Sequence, residues 1–290
     1  GFRPLRAGVP TGKKVAVIGA GPAGLTCAGE LAVRGHAVTI FEAKAEAGGM
    51  LRYGIPEHRL SKEFIQREVR DITDLGVEIR CGEAVAGPDG LDGLFAKGYA
   101  AVYLATGAWQ GLTLDAADRP AEGLMDALAF LGRAKDDPAG AAAQVKGRQV
   151  AVVGGGDTAM DAAVTAQRLG AADVYVLYHR SFTQMPGEDR EKEQALAAGV
   201  HFMLLTQPVD YLSDGTRLTG VSAVRTRLGA PDDSGRRRPV EVPRTEHVFD
   251  VDLVIEAIGL KPTVDVSEMG MATDDVGRVV ITGVGGATAR

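Results

Sequence analysis

Two hexapeptides hold the most legible chemistry in this chain: Gly19-Ala20-Gly21-Pro22-Ala23-Gly24 and Gly154-Gly155-Gly156-Asp157-Thr158-Ala159. Each follows an uninterrupted apolar run, Val15-Ala16-Val17-Ile18 or Val150-Ala151-Val152-Val153, and each opens a stretch of helical periodicity. The pattern G-x-G-x-x-G/A at a strand–turn–helix junction suits a pyrophosphate. The first glycine permits a tight turn, the second lets backbone approach the phosphates, and the third small residue lets helix pack on strand. The N–H groups and partial positive charge at the helix N-terminus then face the anion.

The residues that end the next strand distinguish the two copies. Glu42 ends the run that follows the first motif, where a carboxylate accepts both hydroxyls of an adenosine ribose. The second copy has Tyr178-His179-Arg180 there. A carboxylate repels a ribose 2′-phosphate, whereas a guanidinium grips it with charge-assisted, often paired, hydrogen bonds. The second site is therefore expected to prefer NADPH to NADH through Arg180. A lone histidine carries little information, so His179 reads equally as ligand or bystander. Gly48-Gly49-Met50-Leu51 reads either as backbone lying against a cofactor or as a surface turn.

These motifs need a scaffold, and the periodicities supply one. Residues 1–13 are irregular. A strand at Val15–Ile18, a helix over 23–34 and a strand at Ala37–Phe41 make a βαβ unit of about 30 residues. An amphipathic helix is predicted over 62–75, with Phe64, Ile65, Val69, Ile72 and Leu75 as its apolar face. Strands follow at 77–80 and 100–105. Residues 111–146, with one helical pattern near 122–134, read as a crossover between domains. Strand 150–153, helix 157–169 and strand 173–178 repeat the first design. A polar hairpin over 220–245 turns at Asp232-Asp233-Ser234-Gly235, and Val251–Ile258 is a further buried strand. The charge run Glu188 to Glu193 reads as a solvated helix face. The expected fold is α/β, with two Rossmann-like three-layer dinucleotide-binding domains. The second, 113–250, is inserted into the first, 1–112 and 251–290.

Composition narrows the function classes. Thirty-eight acidic against 32 basic residues give a net charge of -6, which implies no basic face for nucleic acid. The 39 glycines are roughly double the usual share of ~7%, as many tight turns and close backbone approaches require. Cys27 and Cys81 are far apart, without a C-x-x-C, so the chain holds no iron–sulfur centre or redox dithiol of its own. They read as buried, reduced thiols of a cytoplasmic protein. No apolar run approaches the ~20 residues of a membrane span, and the start Gly1-Phe2-Arg3 lacks a signal-peptide pattern and an initiator methionine.

Further strings make the chain recognisable: Gly48-Gly49-Met50-Leu51-Arg52-Tyr53-Gly54-Ile55-Pro56 with Arg59-Leu60, Ala105-Thr106-Gly107-Ala108-Trp109, Met185-Pro186, and Ala257-Ile258-Gly259 with Pro262. With the two Gly-rich motifs, they resemble the glutamate synthase small (beta) subunit family across nearly the whole chain. That family includes the flavin half of dihydropyrimidine dehydrogenase. The resemblance implies FAD at the first motif: Ala20 to Gly24 on the pyrophosphate after the turn at Gly19, Glu42 on the ribose, Gly48, Gly49 and Met50 along the cofactor, Arg59 as a clamp and Val85 on the adenine side. It implies NADPH on Gly156, Asp157, Thr158, Ala159, His179 and Arg180, with Ala257, Ile258 and Gly259 returning to the flavin and facing the nicotinamide. Many members have two arginines where this chain has His179-Arg180, which weakens the NADP preference without abolishing it. Members also carry a cysteine-rich N-terminal segment binding two four-iron clusters, and a C-terminal Gly-Asp motif reaching FAD. Both lie outside these 290 residues, so the FAD site is expected to be incomplete.

The reaction the resemblance implies is hydride transfer from NADPH to FAD, then single electrons to iron–sulfur clusters of a partner or missing segment. Such transfer rests on proximity and orientation, so no acid–base catalytic residue is named. Related flavoenzymes are set apart by their missing motifs: no C-x4-C at Met50-Leu51, no C-x-x-C in the second nucleotide domain, and no F-x-G-x-x-x-H in 112–148. A glutamate synthase role with a large catalytic partner leads. A dihydropyrimidine dehydrogenase-type or electron-bifurcating ferredoxin–NADP oxidoreductase subunit is the alternative, and a non-catalytic nucleotide-binding module the reading from another class.

Overall fold

The apolar run at 15–18 is continuous because its strand is covered on both faces. In the computed structural model, which describes residues 6–117, 119–120, 122–232, 235–264, 266–274 and 278–281, strand β1 (Lys14–Ile18) sends Val17 toward helix α1 (Pro22–Val33) and Ala16 and Ile18 to the opposite side. Val17 packs with Leu25, Ala28 and Ala32 of α1, while Ala16 and Ile18 pack with Leu91 and Leu94. Strand β2 (Ala37–Glu42) pairs parallel with β1. After the short helix α2 (Met50–Tyr53) and helix α3 (Lys62–Thr73) come strand β3 (Glu78–Cys81), helix α4 (Gly90–Ala96) and strand β4 (Ala101–Leu104). The sheet order is β3-β2-β1-β4, all parallel.

The chain separates into two units, residues 1–110 with 261–290, and residues 111–260. It crosses between them at β5 (Gln110–Gly111) and again at the strand Leu260–Lys261. The second unit begins with strand β6 (Leu124–Asp126), then helices α5 (Ala127–Asp136) and α6 (Pro138–Val145). Asp126 and Asp137 cap these helices by accepting from the N–H groups of Ala129 and Gly140. Strand β7 (Gln149–Val153), helix α7 (Asp157–Arg168) and strand β8 (Asp173–Tyr178) form the second βαβ unit. Helix α8 (Asp189–Ala197) and strands β9 (His201–Leu204), β10 (Thr206–Ser213), β11 (Leu218–Pro231), β12 (Arg237–Glu241), β13 (His247–Phe249) and β14 (Leu253–Glu256) follow, ahead of the crossover strand β15 (Leu260–Lys261). The parallel sheet runs β6-β14-β7-β8-β9, and β10, β11, β12 and β13 make a separate antiparallel sheet.

The faces of β7 explain its run of valines. Val150 and Val152 pack with Phe130, Val145 and Met160 of the helical layer. Ala151 and Val153 pack with Tyr211, Leu218 and Val221 of the antiparallel sheet. The third layer of this unit is thus a sheet rather than helices.

Six expectations change. The boundary at 251 moves to 261, because β14 lies between β6 and β7 and completes the parallel sheet of the second unit. Residues 111–146 are no crossover: β6 pairs with β14, and Phe130 of α5 is fully buried. Their single helical pattern is two helices, since Pro138 has no N–H to continue α5 and instead starts α6. The charge run is not uniformly solvated, for Glu191 and Lys192 are buried, the latter 2.7 Å from Asp189 and over the Phe182 ring. Cys81 is exposed rather than buried, at the end of edge strand β3, and Phe64 is exposed beneath Arg67. Asp233 and Ser234 of the expected turn lie outside the described residues. No helix of the described residues is long and apolar enough to cross a membrane.

Candidate dinucleotide sites

In the first unit the chain leaves β1 through Gly19 at φ +104°, a left-handed backbone that a side chain strains. A Cβ there would strike the Ala105 carbonyl, and one on Gly24 would strike the Gly19 carbonyl. Gly21 differs: it lines a cavity of about 520 Å³, and its nearest neighbour for a Cβ is the Gly49 Cα at 3.8 Å. Pro22 takes the first helical position and contributes no N–H, which leaves Ala23 and Gly24 to supply first-turn donors.

Glu42 is buried and lines the same cavity. Its carboxylate accepts from the Ala20 N–H at 2.7 Å and the Lys44 N–H at 2.8 Å. It thereby clamps the Gly-rich turn to the end of β2 while retaining lone pairs for a ribose. The same bond removes Ala20 from the expected pyrophosphate contacts, since its N–H is already taken by Glu42 and the residue is fully buried.

Gly48 and Gly49 are buried against this turn. The Gly48 N–H donates to the Ala20 carbonyl at 2.8 Å, and a Cβ on Gly49 would sit 2.5 Å from the Gly21 Cα. The pair is thus buried rather than a surface turn, its backbone packed on the Gly-rich turn. Gly49, Met50 and Val85 line the cavity; Gly24 and Gly48 support it from behind. Arg59 stands on an exposed turn begun by Pro56 and is not among the lining residues.

Sequence reasoning missed Lys44, which lines the cavity with its ammonium 4.3 Å from the Trp109 ring centroid and 4.7 Å from that of Tyr53. A lysine two residues past a strand carries no signal of its own. Burial pushes both cysteine thiols up, aided at Cys81 by Glu42, so neither is primed as a nucleophile.

In the second unit, Gly154 at φ +144° passes so close to β14 that a Cβ would strike the Ala257 carbonyl. Gly155 lies under the Tyr178 ring, where a Cβ would come within 2.5 Å. Gly156 and Thr158 line a second cavity of about 520 Å³, and nothing stands within 4 Å of a Cβ on Gly156. Ala159 is fully buried behind it. Asp157 does not line the cavity; its carboxylate accepts from the Glu188 N–H at 2.8 Å and so holds the start of α8 against the Gly-rich turn.

His179 and Arg180 both line this cavity, with Arg236 from the β11–β12 turn. Burial, then the charges of Arg180 and Arg236, lower the His179 imidazole to about 4, so it is neutral at pH 7. Ala257, Ile258 and Gly259 line the cavity too, just beyond Glu256. That carboxylate is buried and accepts from Arg119 at 2.7 and 3.2 Å, the Tyr211 hydroxyl at 2.7 Å and the Leu114 N–H at 2.8 Å. Burial raises its pKa, but these bonds outweigh burial and hold it below the usual carboxylate range; the same burial and the Glu256 charge push the Tyr211 phenol up. No group of three or more His, Cys, Asp or Glu among the described residues is placed to hold a metal.

Residues 13–284 match the family described as pyridine nucleotide-disulphide oxidoreductase. The chain is 43% identical over 253 residues to the NADP(+)-dependent formate dehydrogenase subunit beta of Moorella thermoacetica, covering 87% of this chain and 35% of that one. It is 39% identical over 274 residues to the glutamate synthase [NADPH] small chain of Escherichia coli, covering 90% and 57%. The chain therefore spans about a third to somewhat over half the length of these relatives. Among solved structures, Mycobacterium tuberculosis FprA in complex with NADPH superposes with a TM-score of 0.75 at 19% identity, covering 95% of this chain and 76% of that one. A thioredoxin reductase from T. acidophilum gives 0.65 at 19%, with 93% and 85% covered. At such identities these likenesses speak for the fold.

Proposed function

Because the chain belongs to the pyridine nucleotide-disulphide oxidoreductase family, we propose that it is an NADPH-dependent flavin oxidoreductase that takes electrons from NADPH through FAD to iron–sulfur clusters outside these 290 residues. The observation that carries this reading is the pairing of two Gly-rich turns with opposite charges at the end of the following strand: Glu42 lines one cavity, Arg180 the other.

The first cavity fits FAD by its own features. Gly21 leaves open the space a side chain would fill, and Glu42 retains acceptor capacity after its two backbone bonds. Gly21, Ala23, Glu42, Gly49, Met50 and Val85 would hold it. Bound there, FAD supplies acceptance of a hydride and release of single electrons. The second cavity suits NADPH, with Gly156 and Thr158 at the pyrophosphate and Arg180 at the 2′-phosphate. Ala257 to Gly259 would bound the nicotinamide end, their path set by the bonds of the buried Glu256. The protein's part is binding and orientation; no side chain need move a proton during hydride transfer.

For the electron acceptor, the leading reading is a glutamate synthase small-subunit role with a large catalytic partner, supported by 39% identity over 90% of the chain. A formate dehydrogenase-type assembly is the second, supported by the 43% match. The test is anaerobic. The purified chain, reconstituted with FAD, is titrated with NADPH and separately with NADH while the flavin absorbance is followed. Bleaching by NADPH at lower concentration than by NADH supports the reading; a chain that binds FAD yet is bleached by neither refutes it.

A further inference from the structure

The turn of the β11–β12 hairpin brings Arg236 to the lining of the second cavity. Its turn is held by the Asp232 N–H donating to the Arg236 carbonyl at 2.7 Å and the Arg236 N–H donating to Asp232 Oδ1 at 3.1 Å. The hairpin is tied to the end of β8 by Arg180 Nε, which donates to the Arg237 carbonyl at 2.8 Å. Arg237 in turn donates its N–H to Gln184 Oε1 at 3.1 Å, and its guanidinium to the carbonyls of Leu228 and Gly229, both at 2.9 Å. Arg237 is held by these three residues, and Arg236 lines the cavity beside His179 and Arg180.

We propose that Arg236 is a second guanidinium of the ribose-phosphate subsite, and that Asp232 is a resident counter-ion which a 2′-phosphomonoester displaces from Arg180. This rests on the reading of the second cavity as an NADPH site. Three observations support it. Arg180 and Arg236, from two different elements, border one cavity, an arrangement whose mutual repulsion a dianion relieves. The Arg180–Asp232 contact is 3.3 Å, longer than the 2.7–2.9 Å of a strong charge-assisted bond. His179 lines the same cavity with its Nε2 3.1 Å from the Arg180 guanidinium, and burial first, then the charges of Arg180 and Arg236, disfavours its imidazolium. Arg236 is exposed at this turn, so its place on the cavity lining beside Arg180 is what carries the assignment.

The experiment titrates the full 290-residue chain with 2′,5′-ADP and with 5′-AMP by calorimetry. The wild type is expected to bind 2′,5′-ADP more tightly. Arg236→Ala is expected to weaken 2′,5′-ADP about tenfold, the scale of one charge-assisted hydrogen bond, and leave 5′-AMP unchanged. Asp232→Asn, which keeps an acceptor for the Arg236 N–H, is expected to tighten 2′,5′-ADP. Arg236→Lys, with the charge but not the fork, should fall between wild type and alanine. If Arg236→Ala binds 2′,5′-ADP like wild type while Arg180→Ala does not, the assignment of Arg236 is overturned and the NADPH reading stands. If the wild type binds the two nucleotides equally, the underlying reading itself fails.

Discussion

Glu42→Gln replaces one carboxylate oxygen by an NH2 and tests how the first site is built. In the native chain one carboxylate oxygen accepts from the buried Ala20 N–H at 2.7 Å and the other from the Lys44 N–H at 2.8 Å. A glutamine has one carbonyl oxygen and one NH2, so it satisfies one of these donors and turns a donor toward the other. The satisfied bond falls from charge-assisted to neutral, a loss of about 1 kcal/mol. The unsatisfied N–H adds about 1–3 kcal/mol. The first unit should therefore be destabilised by about 2–4 kcal/mol, even with no cofactor present. Trp109 is the only tryptophan of the chain and belongs to this unit, beside Lys44. Its fluorescence in a urea titration reports the unit directly. With a slope of about 2 kcal/mol per molar, the midpoint should fall by about 1–2 M. A Glu42→Gln midpoint within about 0.2 M of wild type would refute the argument that this carboxylate holds the Gly-rich turn.

Three further outcomes follow from the same geometry. Because the folded chain disfavours the His179 imidazolium, His179 adds stability above pH 6.5 that is lost as pH falls toward about 4. After allowance for its partial exposure this is about 1–2 kcal/mol, and His179→Gln should flatten that stretch of the stability–pH curve measured by denaturation. Gly49→Ala forces a side chain into φ +55° with its Cβ 2.5 Å from the Gly21 Cα; it should lower the urea midpoint read by Trp109 and abolish FAD retention in a spectrum of the purified chain. Arg119→Met leaves the buried Glu256 with only Tyr211 and Leu114 of its three partner residues, an expected loss of about 2 kcal/mol because Arg119 itself is partly exposed; far-ultraviolet circular dichroism during thermal unfolding would show it as a lowered transition.

Much of this protein is written locally. The two Gly-rich turns, their strands and their helices follow from short-range rules: apolar runs make strands covered on both faces, glycines mark turns and close approaches, and helical periodicity begins at the turn. Even the contrast of Glu42 with Arg180 is a matter of which residue ends a strand. What tertiary structure decided is whom each group meets across long stretches of chain. That Glu42 is bonded to Ala20, that Asp157 holds α8 instead of facing the cavity, and that Arg236 reaches the same cavity as Arg180 from a hairpin far along the chain are consequences of packing. The boundary of the second unit belongs here too. Val251–Ile258 reads as a buried strand from its composition, but only hydrogen bonding between β6 and β7 assigns it to a sheet. Local sequence sets the period and the turns; partners separated by a hundred residues are chosen by burial and hydrogen-bond satisfaction over the whole chain, which no short pattern contains.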